Sequence, residues 1–367
     1  MSKKLVVFGT RPEFIKLLPV IDEIKKQKLE DAFVLVFTGQ HGEMTKELFH
    51  HFNFTPCVSI PFRNLNNSLS RSFAYILSGL QKIIDSIQKS RNISMIIGQG
   101  DTTSCACAAM SAFYNEIPFT HIEAGLRTNN FKNPFPEEYF RRIISLTTTV
   151  HFAPTENAQK NLLREGIPAE KIVITGNTIV DVIEMIKPLI SGKNIRLMDD
   201  RLNSANNILI TCHRRENQNG NFHILVGAIK ALSVKYSAYN FIWISHKAPF
   251  IIKELEAIDF SNQSNIFILP PVGLPEMYYL YSITKLIITD SGGIQEEAPG
   301  FHIPVIVTRE FTERNESVEL GYSIISGMNR EKIIDSFNYL VQQPGMIMKN
   351  PYGDGKSGKR IVDYLKH

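Results

Sequence analysis

Short runs of β-branched and aromatic residues alternate with longer stretches of helical periodicity through the first half of the chain. The apolar runs fall at residues 5–8, 33–37, 95–97, 119–122, 150–152 and 171–175. The helical stretches between them lie at about 12–27, 68–90, 102–115, 137–148 and 155–165. Such alternation is typical of βαβ units, in which helices cover both faces of a parallel sheet. The pattern therefore predicts an α/β fold.

The same pattern restarts after one interruption. Residues 180–207 carry no strand signal, and a helix followed by a polar linker is expected there. Further strand-like runs then fall at residues 208–210, 241–245, 266–269, 286–288 and 305–307. We therefore predict two Rossmann-like doubly wound domains, over 1–172 and 173–354, with a C-terminal helix in 355–367 that packs back on the first. Ligands of such sheets bind at the carboxyl ends of the strands, so an interdomain cleft is the expected site.

Composition narrows the class of protein. A chain of 367 residues with 43% hydrophobic and 21% charged residues is ordinary for a soluble protein of two domains. Its formal charge is +4 and no basic run concentrates it, so a nucleic-acid partner is not expected. The four cysteines lack metal-site spacing, which argues against a zinc site and favours a reducing, cytoplasmic compartment. No apolar run is long enough for membrane insertion.

Charged residues cluster where the predicted strands of the first half end. Arg11 and Lys16 bracket a helix start after the first strand, which favours a phosphate there, although solvated cations are the alternative. Asp101 follows the third strand, where a helix N-cap is the alternative. Glu123 follows the fourth, where an unpaired buried carboxylate would be costly. Together with Glu137, these carboxylates predict a site for proton transfer, with metal ligation as a rival that the nearby cations disfavour.

Polar residues also follow strands of the second half: His213, Arg214, Ser291, Gly292, Gly293, Glu297 and Arg314. The histidine and arginine after residues 208–210 suggest a phosphate partner, with a surface loop as the alternative. The paired glycines expose backbone N–H groups at a helix start and form a phosphate cradle. The glutamate one turn later is well placed for the paired hydroxyls of a sugar.

Two common nucleotide-binding fingerprints are incomplete in this chain. The segment 98–103 has Thr103 where GxGxxG requires a third glycine, and Asp101 would repel a pyrophosphate. The P-loop-like segment 355–357 has Asn350 where its first glycine should be. NAD enzymes and P-loop NTPases are therefore disfavoured. The residues favour a nucleoside diphosphate gripped by the second domain and leave open whether the chemistry is glycosyl transfer or rearrangement.

Seven motifs follow one another along the chain: GTRPEFIK (9–16), GQGDTTS (98–104), HIEAGLRT (121–128), PFPEE (134–138), ITGNTIVD (174–181), CHRREN (212–217) and DSGGIQEEAP (290–299). In this order they resemble the non-hydrolysing bacterial UDP-N-acetylglucosamine (UDP-GlcNAc) 2-epimerases. The resemblance implies a fold of the glycosyltransferase-B type, usually homodimeric. It also implies interconversion of UDP-GlcNAc and UDP-N-acetylmannosamine (UDP-ManNAc) without a nicotinamide or metal cofactor, supplying surface polysaccharide synthesis.

The resemblance also implies roles for individual residues. The acid or base groups would be Asp101, Glu123 and Glu137. The groups that stabilise the departing diphosphate would be Arg11, Lys16 and His213. Further contacts to the substrate or the acidic helix would come from Arg141, Met277, Ser291, Gly292, Gly293, Glu297 and Arg314. Among these, the serine and glycines would hold phosphate, the glutamate the ribose, and the methionine would lie beside the uracil.

A second, activating UDP-GlcNAc binds many bacterial members of this family. Gln40, Arg214 and His246 match that allosteric site, whereas Glu43 and Asn66 stand where the family has Gln and Arg. We therefore expect activation to be weakened or altered. The alternative functions are a 2-epimerase of a modified UDP-N-acetyl sugar, a hydrolysing epimerase, a glycosyltransferase, and an inactive nucleotide-sugar sensor.

Overall fold

The structure is a computed structural model that describes residues 2–40, 45, 48–50, 52–61, 63, 68–89, 92–190, 200–203, 206–212, 221–246, 249–343 and 349–366. The chain forms two compact units. The first unit comprises Met1–Val182 and Tyr352–His367, and the second comprises Ile183–Pro351. The first unit extends past the predicted boundary at residue 172.

The strands, in chain order, are β1 (Lys3–Phe8), β2 (Phe33–Phe37), β3 (Val58–Ser59), β4 (Ile93–Gln99), β5 (Phe119–Ile122), β6 (Thr148–Ala153), β7 (Ile172–Ile174), β8 (Asn207–Thr211), β9 (Asn240–Ile244), β10 (Ile266–Leu269), β11 (Thr284–Thr289), β12 (Val305–Val307) and β13 (Ser323–Ile325). The helices are α1 (Arg11–Lys26), α2 (Leu69–Gln88), α3 (Thr103–Tyr114), α4 (Glu137–Thr147), α5 (Glu156–Arg164), α6 (Thr178–Ile190), α7 (Asn221–Lys235), α8 (Pro249–Glu256), α9 (Leu274–Ser282), α10 (Gly292–Glu297), α11 (Asn315–Glu319), α12 (Arg330–Leu340) and α13 (Ser357–Leu365).

The first unit contains a parallel sheet in the order β3-β2-β1-β4-β5-β6-β7. Its strands are continuous apolar runs because helices cover both faces. The order of the strands reverses between β1 and β4, which is the position where doubly wound sheets bind their ligands. The loops that leave β1, β4 and β5 therefore begin side by side at one edge of this sheet.

The second unit repeats the arrangement with a parallel sheet in the order β10-β9-β8-β11-β12-β13. Its reversal lies between β8 and β11, and the predicted phosphate cradle follows β11 directly. Strands β3 (two residues) and β13 (three residues) were not predicted. Two doubly wound parallel sheets confirm the predicted fold class.

The last helix packs on the first. Helices α13 and α1 lie so close that a Cβ on Gly358 would sit 2.7 Å from the carbonyl oxygen of Pro19. The backbone N–H of Gly358 donates a 2.8 Å hydrogen bond to Asp181 Oδ1. The C-terminal segment is thereby fastened to the first unit. Within the described residues, no helix has the length and apolar character needed to cross a bilayer.

Candidate active site

A lysine and a glutamine side chain converge on Glu123, which follows the end of β5. Lys16 reaches it from the second turn of α1 and forms an ion pair with Glu123 Oε2. Gln99, the last residue of β4, donates a 3.0 Å hydrogen bond to the same oxygen. Because β4 lies between β1 and β5 in the sheet, residues far apart in sequence meet here. The Glu123 carboxylate is largely buried, and Lys16 and Gln99 supply the ion pair and hydrogen bond that a buried charge requires.

The backbone after β5 is shaped to present this carboxylate. Glu123 has φ 69°, a left-handed conformation that costs a side-chain-bearing residue about 1 kcal/mol or more. Gly125 follows with φ 93°, and a Cβ there would lie 2.3 Å from the carbonyl oxygen of Ala158 in α5. The glycine of the HIEAG motif is therefore required both by its dihedral angle and by the close approach of a helix.

Asp101 follows a tight turn at the end of β4. Gly100 in this turn has φ 74°, and its N–H donates a 3.0 Å hydrogen bond to the carbonyl oxygen of Ile122. The N-cap of α3 is Thr102, whose Oγ1 accepts from the N–H of Cys105 at 3.1 Å. The alternative of Asp101 as the helix cap is therefore wrong.

Arg141 of α4 connects Asp101 to the acidic start of that helix. Its Nε donates to Asp101 Oδ2 at 2.7 Å, and its Nη1 donates to Glu138 Oε2 at 3.2 Å. Glu138 also accepts the backbone N–H groups of Thr128 and Asn129. The sequence predicted that Arg141 orients the acidic helix but did not identify Glu138 as the carboxylate it binds. Glu137 begins α4 and is half-buried.

Glu13 is a buried carboxyl group in this region and was not among the predicted site residues. It accepts hydrogen bonds from the N–H groups of Gly9 and Thr10 at 2.9 and 2.7 Å, and from the hydroxyl of Thr102. Burial raises the pKa of Glu13 to about 7, although the three donors oppose this. The Thr-x-x-Glu spacing of residues 10–13 is a capping-box signature that would have indicated part of this function.

Two histidines lie next to each other on β5 and β6, where His121 is paired in register with His151. Burial lowers the pKa of His121 to about 4 and that of His151 to about 3, so both are neutral at pH 7. His121 Nε2 lies 2.7 Å from the carbonyl oxygen of Gly100. A neutral imidazole on β5 therefore contacts the turn that precedes Asp101.

In the second unit, Arg314 lies against the predicted phosphate cradle. A Cβ on Gly292 would be 2.8 Å from Arg314 Nη1, so a larger residue there would require the guanidinium to shift. Arg314 forms an ion pair with Glu296, with Nη2 and Oε1 2.8 Å apart, and another with Glu313. Neither carboxylate was predicted. The cation is therefore positioned at Gly292, the first residue of α10.

Glu297 at the end of α10 is held by two buried tyrosines. The hydroxyl of Tyr281 donates to Oε2 at 2.7 Å, and that of Tyr278 lies 3.3 Å from Oε1. Burial raises the pKa of both phenols well above the ordinary value, so they remain donors. Two neutral donors thus orient a half-exposed carboxylate.

The remaining predicted residues have these positions. Arg11 and Met277 are half-buried on α1 and α9. Gln40 Oε1 accepts from the N–H and hydroxyl of Ser104 at 3.1 and 2.7 Å, and His246 is exposed after β9. His213, Arg214, Glu43 and Asn66 lie outside the described residues. In the part of the chain that is described, no three His, Cys, Asp or Glu side chains form a metal-binding group.

Comparison with known proteins finds relatives that all carry the same family name. The family model "UDP-N-acetylglucosamine 2-epimerase" matches residues 22–366. The UDP-N-acetylglucosamine 2-epimerase of Neisseria meningitidis is 36% identical, with 99% of each chain covered, and that of Campylobacter jejuni is 34% identical over 100% of this chain and 97% of its own.

Solved structures of such enzymes share the fold. The N. meningitidis UDP-GlcNAc 2-epimerase bound to UDP-GlcNAc has a TM-score of 0.90 at 35% identity, with both chains fully covered. The enzyme of Methanocaldococcus jannaschii in complex with UDP-GlcNAc and UDP has a TM-score of 0.84 at 31% identity, covering 100% of this chain and 99% of that one. The predicted pair of Rossmann-like domains of the glycosyltransferase-B type is confirmed.

Proposed function

The chain belongs to the UDP-N-acetylglucosamine 2-epimerase family of isomerases, and we propose that it interconverts UDP-GlcNAc and UDP-ManNAc without hydrolysing them. The relatives' names and the ligands bound in their structures support this substrate. The reaction must move the hydrogen on C2 of the sugar from one face to the other.

Direct removal of that hydrogen is unfavourable, since C2 has no neighbouring carbonyl group. In the proposed mechanism the bond from C1 to the diphosphate breaks first, and UDP departs with the electron pair. The developing oxocarbenium ion acidifies the C2–H bond, and a carboxylate removes the proton to give 2-acetamidoglucal. A second group delivers a proton to the opposite face, and UDP adds back to C1. These reaction steps require two acid/base groups and no external oxidant.

The observation that carries the proposal is the pair of carboxylates at neighbouring strand ends. Asp101 and Glu123 are each paired with a cation, Arg141 and Lys16 respectively, and hydrogen bonds restrict their orientation. We assign these two carboxylates to proton transfer at C2, with Glu137 as the third candidate. Such preorganised general acids and bases contribute on the order of 10²–10⁴-fold to a rate.

The second unit supplies the groups proposed to hold UDP. Ser291 and the N–H groups of Gly292 and Gly293 would bind phosphate at the start of α10, with Arg314 adding positive charge. The Glu297 carboxylate, oriented by its tyrosines, would accept the two ribose hydroxyls. We assign Arg11 and His213 to the departing diphosphate on the basis of their motifs, and Met277 to the uracil from the family resemblance.

The same proposal covers the oligomeric state, the pathway and the cellular compartment of the enzyme. We propose that the enzyme is a homodimer that supplies surface polysaccharide synthesis from the cytoplasm. All four cysteines are free thiols, as is usual in a reducing compartment. We also propose that activation by a second UDP-GlcNAc is weakened, which predicts rates that rise linearly at low UDP-GlcNAc concentration. Strong sigmoidicity would contradict this.

The test is an NMR incubation of the purified protein with UDP-GlcNAc in D₂O without added cofactor, with the Asp101→Asn variant as control. UDP-ManNAc carrying deuterium at C2 is expected from the wild type. Free ManNAc together with UDP would identify a hydrolysing epimerase instead. Absence of both exchange and product would exclude this substrate and direct the same assay to modified UDP-N-acetyl sugars.

A further inference from the structure

The turn that presents Asp101 depends on a single glycine peptide. The carbonyl group of Gly100 and the N–H of Asp101 belong to the same planar unit, so rotating one rotates the other. Gly100 has φ 74° and no Cβ, and glycine backbones reorient at low cost. Without an anchor on that carbonyl, this peptide could turn over and carry the Asp101 side chain away from Arg141.

His121 provides the anchor. Its Nε2 lies 2.7 Å from the carbonyl oxygen of Gly100, and the ring is 1% exposed. A carbonyl oxygen only accepts hydrogen bonds, so Nε2 must carry the proton. The neighbouring residue of the same strand, Ile122, accepts the Gly100 N–H at 3.0 Å. Strand β5 therefore holds both polar groups of Gly100.

We infer that His121 is a positioning residue for proton transfer, which acts by fixing the peptide between Gly100 and Asp101. The inference rests on the proposed function of Asp101. The His121 Nε2–H donates to the Gly100 carbonyl oxygen, and in this assignment the ring does not contact the substrate. Its effect is therefore expected in the chemical step and not in the binding of UDP.

The chain offers a matched control in His151. This residue is equally buried, neutral at pH 7 and paired in register with His121, but its ring nitrogens make no hydrogen bond to the Gly100 turn. Replacing either ring disturbs the same region of the sheet. Only the replacement of His121 removes the hydrogen bond to Gly100.

The experiment compares His121→Leu, His121→Gln and His121→Asn with His151→Leu. A glutamine amide reaches as far as Nε2, whereas an asparagine amide reaches only as far as Nδ1. We expect the leucine and asparagine variants of His121 to lose roughly 100-fold in kcat, the scale for a displacement of about 1 Å in an active site. We expect the glutamine variant to recover most of that loss. KM and the Kd for UDP should change little, and His151→Leu should keep wild-type kcat.

Several results would overturn the inference. Equal kcat for the glutamine and asparagine variants would show that the hydrogen bond at Nε2 is unimportant. An equal loss in His151→Leu, or a loss confined to KM and UDP binding, would assign the effect to general packing. If His121→Leu does not fold, the kcat values of His121→Gln and His121→Asn still test whether the hydrogen bond at Nε2 matters.

A failure of the proposed function gives a different result. A wild-type protein without C2 exchange refutes the function, while NMR of ¹⁵N-histidine-labelled protein still tests the anchor. We expect His121 to be a neutral Nε2–H tautomer at pH 6, and a charged ring or the Nδ1–H tautomer would refute the anchor whatever the activity.

Discussion

Replacement of Glu13 by glutamine tests how a buried carboxyl group makes the stability of the first unit depend on pH. The side chain is 1% exposed and joins the loop after β1 to Thr102, next to Asp101. Glutamine keeps the shape and one carbonyl acceptor but cannot ionise. The substitution therefore removes a titration with little change in packing.

The magnitude follows from the pKa of Glu13, which burial raises from 4.5 to about 7. At one unit per 1.36 kcal/mol, ionising this group in the folded protein costs about 3 kcal/mol more than in the unfolded chain. Because the folded state holds its proton more tightly, the stabilisation is complete below the unfolded pKa. It is lost as pH rises through the folded pKa. The window is thus roughly pH 4.5 to 7.

The assay measures free energies of unfolding by urea at several pH values, followed by circular dichroism, for wild type and Glu13→Gln. The difference between the proteins is the decisive quantity, because His121 and His151 titrate in the opposite sense. Their lowered pKa values make the folded state more stable as pH rises toward 6.5. Subtraction cancels that contribution.

We expect the wild type to lose about 3 kcal/mol relative to Glu13→Gln between pH 4.5 and 8. Glu30→Gln, at an exposed position, is the control for the loss of one carboxyl group. A constant difference for Glu13→Gln would refute the reasoning. A difference of the opposite sign would mean that the three hydrogen-bond donors outweigh burial.

Three further predictions concern the proposed site. Asp101→Asn should lower kcat for C2 exchange at least on the order of 100-fold, with the Kd of UDP unchanged by calorimetry, and a retained kcat would remove this residue from the chemistry. Gly292→Ala places a Cβ 2.8 Å from the Arg314 guanidinium and should cost roughly 1–3 kcal/mol of stability in urea unfolding; an unchanged midpoint would contradict the close approach. Tyr281→Phe removes the 2.7 Å hydrogen bond to Glu297 and should weaken UDP binding roughly tenfold at unchanged kcat, whereas a fall in kcat alone would oppose the assignment to ribose.

Local patterns in the sequence predicted all the described strands except β3 and β13, and they located many of the candidate site residues. A parallel strand buried on both faces is a continuous apolar run, so segments such as 33–37 and 119–122 could be recognised without knowledge of their neighbours. Polar residues directly after such runs must lie at the carboxyl edge of a sheet. Asp101 and Glu123 were singled out at such positions, and the family resemblance added their acid/base roles.

The ion-pair and hydrogen-bond partners of the site residues could be identified only from the tertiary structure. Lys16 and Glu123 are 107 positions apart, and no periodicity indicates that β4 is inserted between the strands that precede them. The same holds for Glu13 and Thr102, which are 89 positions apart. These pairs depend on the order of strands in the sheet, and the pairing of distant strands leaves no repeat in the chain.

The sequence by itself determined most of the strands, the fold class and the sheet edge where the charged groups gather, because each depends on residues within one turn or one strand. The tertiary structure alone decided the ionic partner of each carboxylate. It alone showed that Arg314 lies against Gly292 and that His121 is within hydrogen-bond distance of the Gly100 carbonyl oxygen. Burial, hydrogen-bond distance and the resulting pKa values are properties of side chains brought together by folding, so they have no local signature to read.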